Sequence, residues 1–192
     1  MAFLRIIAGR LKGRRLAGPT GEGVRPTADR LRETLFNVLG PSVQGARVLD
    51  AFAGTGALGL EALSRGAATV TFVENERRAL AVLGENVKQC DAENACAIIR
   101  QDFLRVRPIG SDGLKIAADL VLLDPPYATE DLGAVLDHAA AFVAPGGRVV
   151  LEHSRRRESP ERASNLTRAR VLESGDSRLS FYALEVPVAI PE

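Results

Sequence analysis

A chain of 192 residues with 46% hydrophobic content can bury one good core but not several, so one domain with an appendage is expected. Cys90 and Cys96 offer neither a disulfide framework nor metal-ligand spacing, and no metal site is expected, which suits a reduced cytoplasm. The apolar stretches are too short for a bilayer span, and Arg5 and Arg10 interrupt the apolar start that a signal peptide would need. The formal charge of +1 conceals an asymmetry: residues 1–32 carry eight bases against two acids, a net of +6, and the remainder a net of −5. An anionic partner at the amino-terminal segment is the natural reading.

In chain order, residues 3–25 place Gly9, Gly13, Gly18, Gly21 and Gly23 among basic side chains. That composition predicts an irregular arm or a short hairpin, with Phe3 to Ile7 opposite Arg14 to Leu16. A flexible basic arm contacts phosphates without reading bases. The candidate nucleic-acid contacts are Arg10, Lys12, Arg14, Arg15, Arg25, Thr27 and Arg30. Thr27 reads as a helix N-cap with Asp29 in the first turn. Leu31, Leu35, Val38 and Leu39 form one apolar stripe, and Arg30 and Arg32 should extend the basic surface. Residues 1–40 are thus read as an extension with a docking helix, and residues 41–192 as the main domain.

From Ala46 the pattern alternates between strands and helices. Strands are expected at Arg47 to Asp50, Thr69 to Glu74, Ala97 to Asp102, Leu120 to Asp124 and Arg148 to Glu152. Helices are expected at Ala57 to Arg65, with Leu58, Leu60, Ala62 and Leu63 as its buried side, and at Arg77 to Cys90 and Asp131 to Val143. Residues 154–165 are polar and read as a loop or a poorly ordered connection. Ala169 to Glu173 and Leu179 to Val186 flank Ser174-Gly175-Asp176 as a hairpin. This alternation implies an α/β fold built on a doubly wound parallel sheet.

Four strands run into acids: Asp50, Glu74, Asp102 and Asp124. The carboxyl ends of parallel strands share one edge, where ligands bind, so four carboxylates are expected to converge on one cleft. After Asp124 come Pro125, Pro126 and Tyr127, and two prolines cannot continue a ladder. The break leaves a carboxylate, the Pro125 carbonyl and an aromatic ring together, which suits the exocyclic amine of a nucleobase. Gly54-Thr55-Gly56-Ala57-Leu58-Gly59 fits G-x-G-x-x-G between a strand and a helix, with Glu74 placed to reach a ribose. A dinucleotide would bring a pyrophosphate beside Asp50, whereas S-adenosylmethionine carries a sulfonium and an ammonium that an acid-lined cleft attracts. The methyl donor is the better fit, with Glu74 on the ribose hydroxyls and Asp102 on the adenine amine. Neither His138 nor His153 sits in a dehydrogenase motif.

Val48 to Gly56 resembles the donor motif of class I methyltransferases, and Asp124-Pro125-Pro126-Tyr127 resembles the motif of those that methylate exocyclic nitrogens. Arg5 to Gly9, Arg25-Pro26-Thr27 and Arg30 to Asn37 resemble the RsmD family, bacterial guanine-N2 methyltransferases of 16S ribosomal RNA. The family commonly has Phe in place of Tyr127, and either ring stacks. The resemblance implies a Rossmann-like sheet of seven strands, mostly parallel with the last strands antiparallel. It also implies methylation of a guanine, number 966 of that RNA. The expected site comprises Asp124, Pro125, Pro126 and Tyr127 for catalysis, and Asp50, Ala51, Gly54, Gly56, Glu74, Asp102, Phe103 and Asp124 for the donor. The expected partner is ribosomal RNA, free or in an assembled small-subunit particle, met by a cytoplasmic monomer. A DNA adenine-N6 methyltransferase is the alternative. An NAD-dependent enzyme or a non-catalytic RNA-binding module fits less well.

Overall fold

The computed structural model describes residues 4–18, 26–109 and 116–185, and only the backbone of residues 26–28. Strands β1 (Arg47–Asp50), β2 (Thr69–Glu74), β3 (Cys96–Arg100), β4 (Ala118–Leu123), β5 (Val143–Ser154), β6 (Arg162–Ala163), β7 (Leu166–Ser174) and β8 (Ser177–Leu184) form one sheet. Its order is β3-β2-β1-β4-β5-β8-β7-β6. The β3 to β5 block is parallel, while β8, β7 and β6 add antiparallel neighbours. The eighth strand, one more than expected, is β6, a two-residue piece paired to β7.

Period-two alternation sorts the apolar residues of β1 and β4 into two cores. Val48, Leu120 and Leu122 face a layer holding α1 (Pro26–Leu39), α2 (Ala57–Ser64) and α3 (Arg77–Gln89). Leu49, Val121 and Leu123 face the layer of α4 (Leu132–Ala140), with Phe103 and Phe142. Both faces are covered, which is why these strands read as unbroken apolar runs. The chain winds to β2 and β3 on one side of β1 and to β4 and β5 on the other. The crevice at that reversal is the binding position of doubly wound folds. Among the described residues no helix is long and apolar enough to cross a membrane.

The amino-terminal arm is anchored rather than flexible. Its expected short hairpin is present: the antiparallel bridge of Arg5 with Arg15 is flanked by the Leu16 N–H donating to the Leu4 carbonyl at 2.8 Å and the Ile6 N–H to the Arg14 carbonyl at 3.0 Å. Leu4, Ile6, Leu11 and Leu16 are buried. The arm covers the outer face of α2, where Glu61 and Ser64 are sealed from water. Glu61 accepts from the Ile7 N–H at 2.7 Å and the Ala8 N–H at 3.1 Å. Ser64 Oγ accepts from the Leu11 N–H at 2.9 Å. Gly9, at φ +83°, lies so close that an added Cβ would come 1.9 Å from the Ser64 carbonyl oxygen. Asn86 of α3 bonds both Ala17 and the Thr55 carbonyl, tying the arm to the glycine turn.

Two local expectations need correction, and a third is narrowed. Arg32 is 5% exposed, donating to Asp29 and the Arg5 carbonyl instead of joining the basic surface. The helix is described from Pro26, so Thr27 falls inside the first turn rather than at the cap; proline suits that first position because its missing N–H has no helical partner. Residues 154–165 are a loop, as one of the two readings had it, apart from Ser154 at the end of β5 and the two residues of β6, but they are tied down rather than poorly ordered. Arg157 donates to the Thr129 and Glu130 carbonyls, buried Ser159 bonds Ser180, and the carbonyl of half-buried Pro160 accepts from the Tyr182 hydroxyl. Polar composition suggested solvent, but these groups find their partners inside the protein. In addition, α4 stops at Ala140, and β5 begins at Val143 with a register shift that takes in Pro145-Gly146-Gly147.

Candidate active site

A cavity of about 510 Å³ opens at the carboxyl ends of β1, β2 and β4. Its walls include Ala51, Gly54, Glu74, Asp102, Phe103 and the whole Asp124-Pro125-Pro126-Tyr127 segment. Leu123 is the last paired residue of β4, and the prolines then turn the chain out of the sheet. Pro125 is buried while the Tyr127 ring is 76% exposed, an aromatic surface open to a ligand.

The first turn is built by hydrogen bonds that its spacing allows. Glu74 accepts from the Gly54 N–H at 2.8 Å, and its other oxygen takes the Asn75 and Glu76 N–H groups. Gly56 has φ +79°, and a Cβ there would lie 2.4 Å from Leu83 Cδ1. It therefore shapes the turn from behind and is absent from the cavity wall. Asp102 accepts from the Leu104 N–H, which holds Phe103 inward against Phe52, His138 and Phe142. His138 serves this aromatic packing.

Three of the four strand-end acids meet at the cavity; Asp50 does not. Its carboxylate is fully buried behind the turn and accepts from the Gly59 N–H at 2.9 Å. The other oxygen, Oδ1, has no partner among the described residues. Burial, reinforced by Asp124 and Glu74, lifts the Asp50 carboxyl to about 7. Between the ordinary carboxyl value of 3.8 and about 7, the folded state binds more protons than the unfolded one. Its contribution to stability therefore falls as pH rises through that window. Asp50→Asn should flatten the decline in a series of denaturant melts from about pH 4 to about pH 7, because the amide still accepts from Gly59.

Glu152 is the functional candidate that the strand-by-strand count of acids passed over, although the expected fifth strand ended on it. Leu123 pairs with Leu151, so Asp124 and Glu152 are the next residues on adjacent parallel strands. Both line a recess of about 10 Å³, together with Pro125, Pro126, Tyr127 and Arg157. Loss of water raises the Glu152 carboxyl, with Asp124's charge adding to the effect, and raises Asp124 as well although part of its surface is exposed.

Of the basic candidates, Arg10, Lys12, Arg15 and Arg30 are exposed. Arg5, Lys12 and Arg30 line a groove of about 360 Å³ between the arm and α1, shared with Asp29 and Glu33. Arg14 is engaged with the Gln89 carbonyl and Asp91. Arg25 lies outside the described residues, as does the Thr27 side chain.

Comparison with known proteins identifies the family. The model of the family described as "Conserved hypothetical protein 95" matches residues 4–183. "Putative rRNA methyltransferase YlbH" of Bacillus subtilis (strain 168) is 34% identical over 187 residues, 93% of this chain and 98% of that protein. "Ribosomal RNA small subunit methyltransferase D" of Escherichia coli (strain K12) is 39% identical over 156 residues, 73% of each chain. The solved structure of "Putative methyltransferase yhhF" from Escherichia coli superposes with a TM-score of 0.79 at 30% identity, covering 96% of this chain and 99% of that one. Matched from the arm to the last strand, the chain belongs to this family, the RsmD family of methyltransferases.

Proposed function

We propose that this protein transfers a methyl group from S-adenosylmethionine to the exocyclic N2 of a guanine in small-subunit ribosomal RNA, guanine 966 in the family's numbering. The observation that carries the reading is Asp124-Pro125-Pro126-Tyr127 lining both the large cavity and a small recess beside Glu152. Glu74 and Asp102 share the cavity wall. Asp124 and the exposed Tyr127 ring thus stand on the wall of the cavity that would hold the donor, where a planar acceptor can meet both. The RNA substrate follows the names of the relatives.

The residues present fit the methyl donor. The large cavity is walled by the carboxyl groups of Glu74, Asp102 and Asp124, with Phe52, Phe103 and Tyr127 as apolar surface. Such a site favours a cation and opposes a pyrophosphate. Glu74 and Asp102 would hold the ribose and adenine, with Ala51, Gly54 and Phe103 shaping the wall, while Asp50 and Gly56 maintain the turn. When bound, S-adenosylmethionine supplies an electrophilic methyl group on a sulfonium. Guanine N2 is a weak nucleophile because its lone pair is delocalised into the ring. Asp124 and the Pro125 carbonyl accept the hydrogens of the amine, restoring lone-pair density towards the methyl group. Tyr127 stacks on the base once it has left its helix. The proton released from N2 passes to Asp124 or to water, and alignment supplies much of the remaining rate.

The exposed bases of the arm and α1 would hold RNA phosphates for the monomeric enzyme in the cytoplasm. Replacing Arg10, Lys12 and Arg30 with Gln should weaken RNA binding and lower the log–log salt slope by roughly one per contact removed. Donor affinity measured in parallel by calorimetry should not change. Incubation with labelled S-adenosylmethionine and undermethylated small-subunit particles tests the whole reading. Recovery of N2-methylguanosine supports it, and label in N6-methyladenosine would replace it with the adenine reading.

A further inference from the structure

Glu152 is a carboxylate for which neither the donor nor the amine-holding step has a use. It follows Leu151, the partner of Leu123, so it stands beside Asp124 on the carboxyl edge of the neighbouring strand. Adjacent strands lie about 4.8 Å apart, close enough for two acceptors to serve neighbouring atoms of one ring. Its Oε1 accepts from the Ser177 hydroxyl at 3.1 Å, which fixes the side chain on the wall of the recess it shares with Asp124 and Tyr127. The other polar groups nearby are engaged elsewhere. Arg157 donates to the carbonyls of Thr129 and Glu130, and His153 Nε2 bonds Ser180 Oγ at 2.9 Å.

We infer that Glu152 determines specificity for guanine by accepting the ring N1–H beside the amine that Asp124 holds. This rests on the proposed transfer to a guanine amine. A guanine edge offers two donors in a row, the N2 amine and N1–H, and a pair of adjacent carboxylates complements both. Adenine offers its amine beside a bare ring nitrogen, whose lone pair would face the Glu152 carboxylate. Leaving a buried acceptor opposed by another acceptor is what separates related bases.

The test uses small-subunit particles whose RNA carries either guanine or 2-aminopurine at the target nucleotide. The analogue keeps the 2-amine but has a bare N1. Single-turnover transfer is measured across a pH series, because burial raises the Glu152 carboxyl and the preference for guanine should grow as that carboxyl ionises. The native enzyme should prefer guanine by roughly 10- to 100-fold. Glu152→Ala should lose that factor on guanine while its rate on 2-aminopurine stays level or rises, bringing the ratio close to one. Glu152→Gln, nearly the same shape, should retain transfer to guanine and improve it on 2-aminopurine, since an amide can face N1–H with oxygen or bare N1 with nitrogen. If Glu152 only braces Ser177, both rates fall together and the preference survives, which overturns the inference. Unchanged rates in both variants overturn it as well. A native enzyme that methylates neither base overturns the underlying guanine reading too, and so separates the two failures.

Discussion

Asp124→Ala should slow methyl transfer by roughly 100-fold or more in single-turnover assays at saturating RNA, as for other lost hydrogen bonds that strengthen in the transition state. Donor affinity should change little, because Glu74 and the glycine turn are anchored independently by the Gly54, Asn75 and Glu76 N–H groups. Asp124→Asn is the sharper variant: it keeps an acceptor oxygen but removes the charge, so its loss should be smaller than that of alanine. Tyr127→Phe should be mild, since the exposed ring stacks without its hydroxyl, while Tyr127→Ala should weaken the apparent binding of substrate. An Asp124→Ala enzyme working at the native rate would reduce the segment to a strand with a turn after it.

The second large effect is on stability. Glu61→Ala should cost about 3–5 kcal/mol, the range for removing one partner of a buried ionic cluster. Its carboxylate is inaccessible and takes the Ile7 and Ala8 N–H groups, Arg65 at 2.7 Å and, more distantly, Arg32 at 3.9 Å. Alanine would leave Arg65 without its anion, Arg32 with Asp29 alone, and two backbone donors without an acceptor. At roughly 2–4 °C per kcal/mol for a chain of this size, the melting temperature should fall by about 10 °C. Limited proteolysis should cut the arm before the sheet, because its docking depends on α2. Cleavage at the native rate, with an unaltered melt, would show that the apolar contacts of Leu4, Ile6, Leu11 and Leu16 hold the arm by themselves.

Much of the architecture was legible because its signals are local. Alternating strand and helix periods, the glycine turn and the double proline after Asp124 depend on neighbours within a few positions. They predicted the parallel sheet, its binding edge and the meeting of Glu74, Asp102 and Asp124. What stayed hidden depends on segments far apart in the chain. Glu61 and Ser64 lie on what reads as the solvent side of a helix, and only the docking of an arm more than fifty positions earlier buries them. Arg32 looked like a surface base for the same reason. Asp50 was read onto the cleft, but its carboxylate turned behind the sheet edge to take the Gly59 N–H. Glu152 was visible as a strand-end acid, yet its place beside Asp124 needed the register of β4 against β5. The amino-acid sequence by itself determined which residues end strands and which turns open a cleft. Which acids share that cleft, and which bases remain on the surface, was decided by long-range packing, because burial and hydrogen-bond partners are properties of the assembled layers.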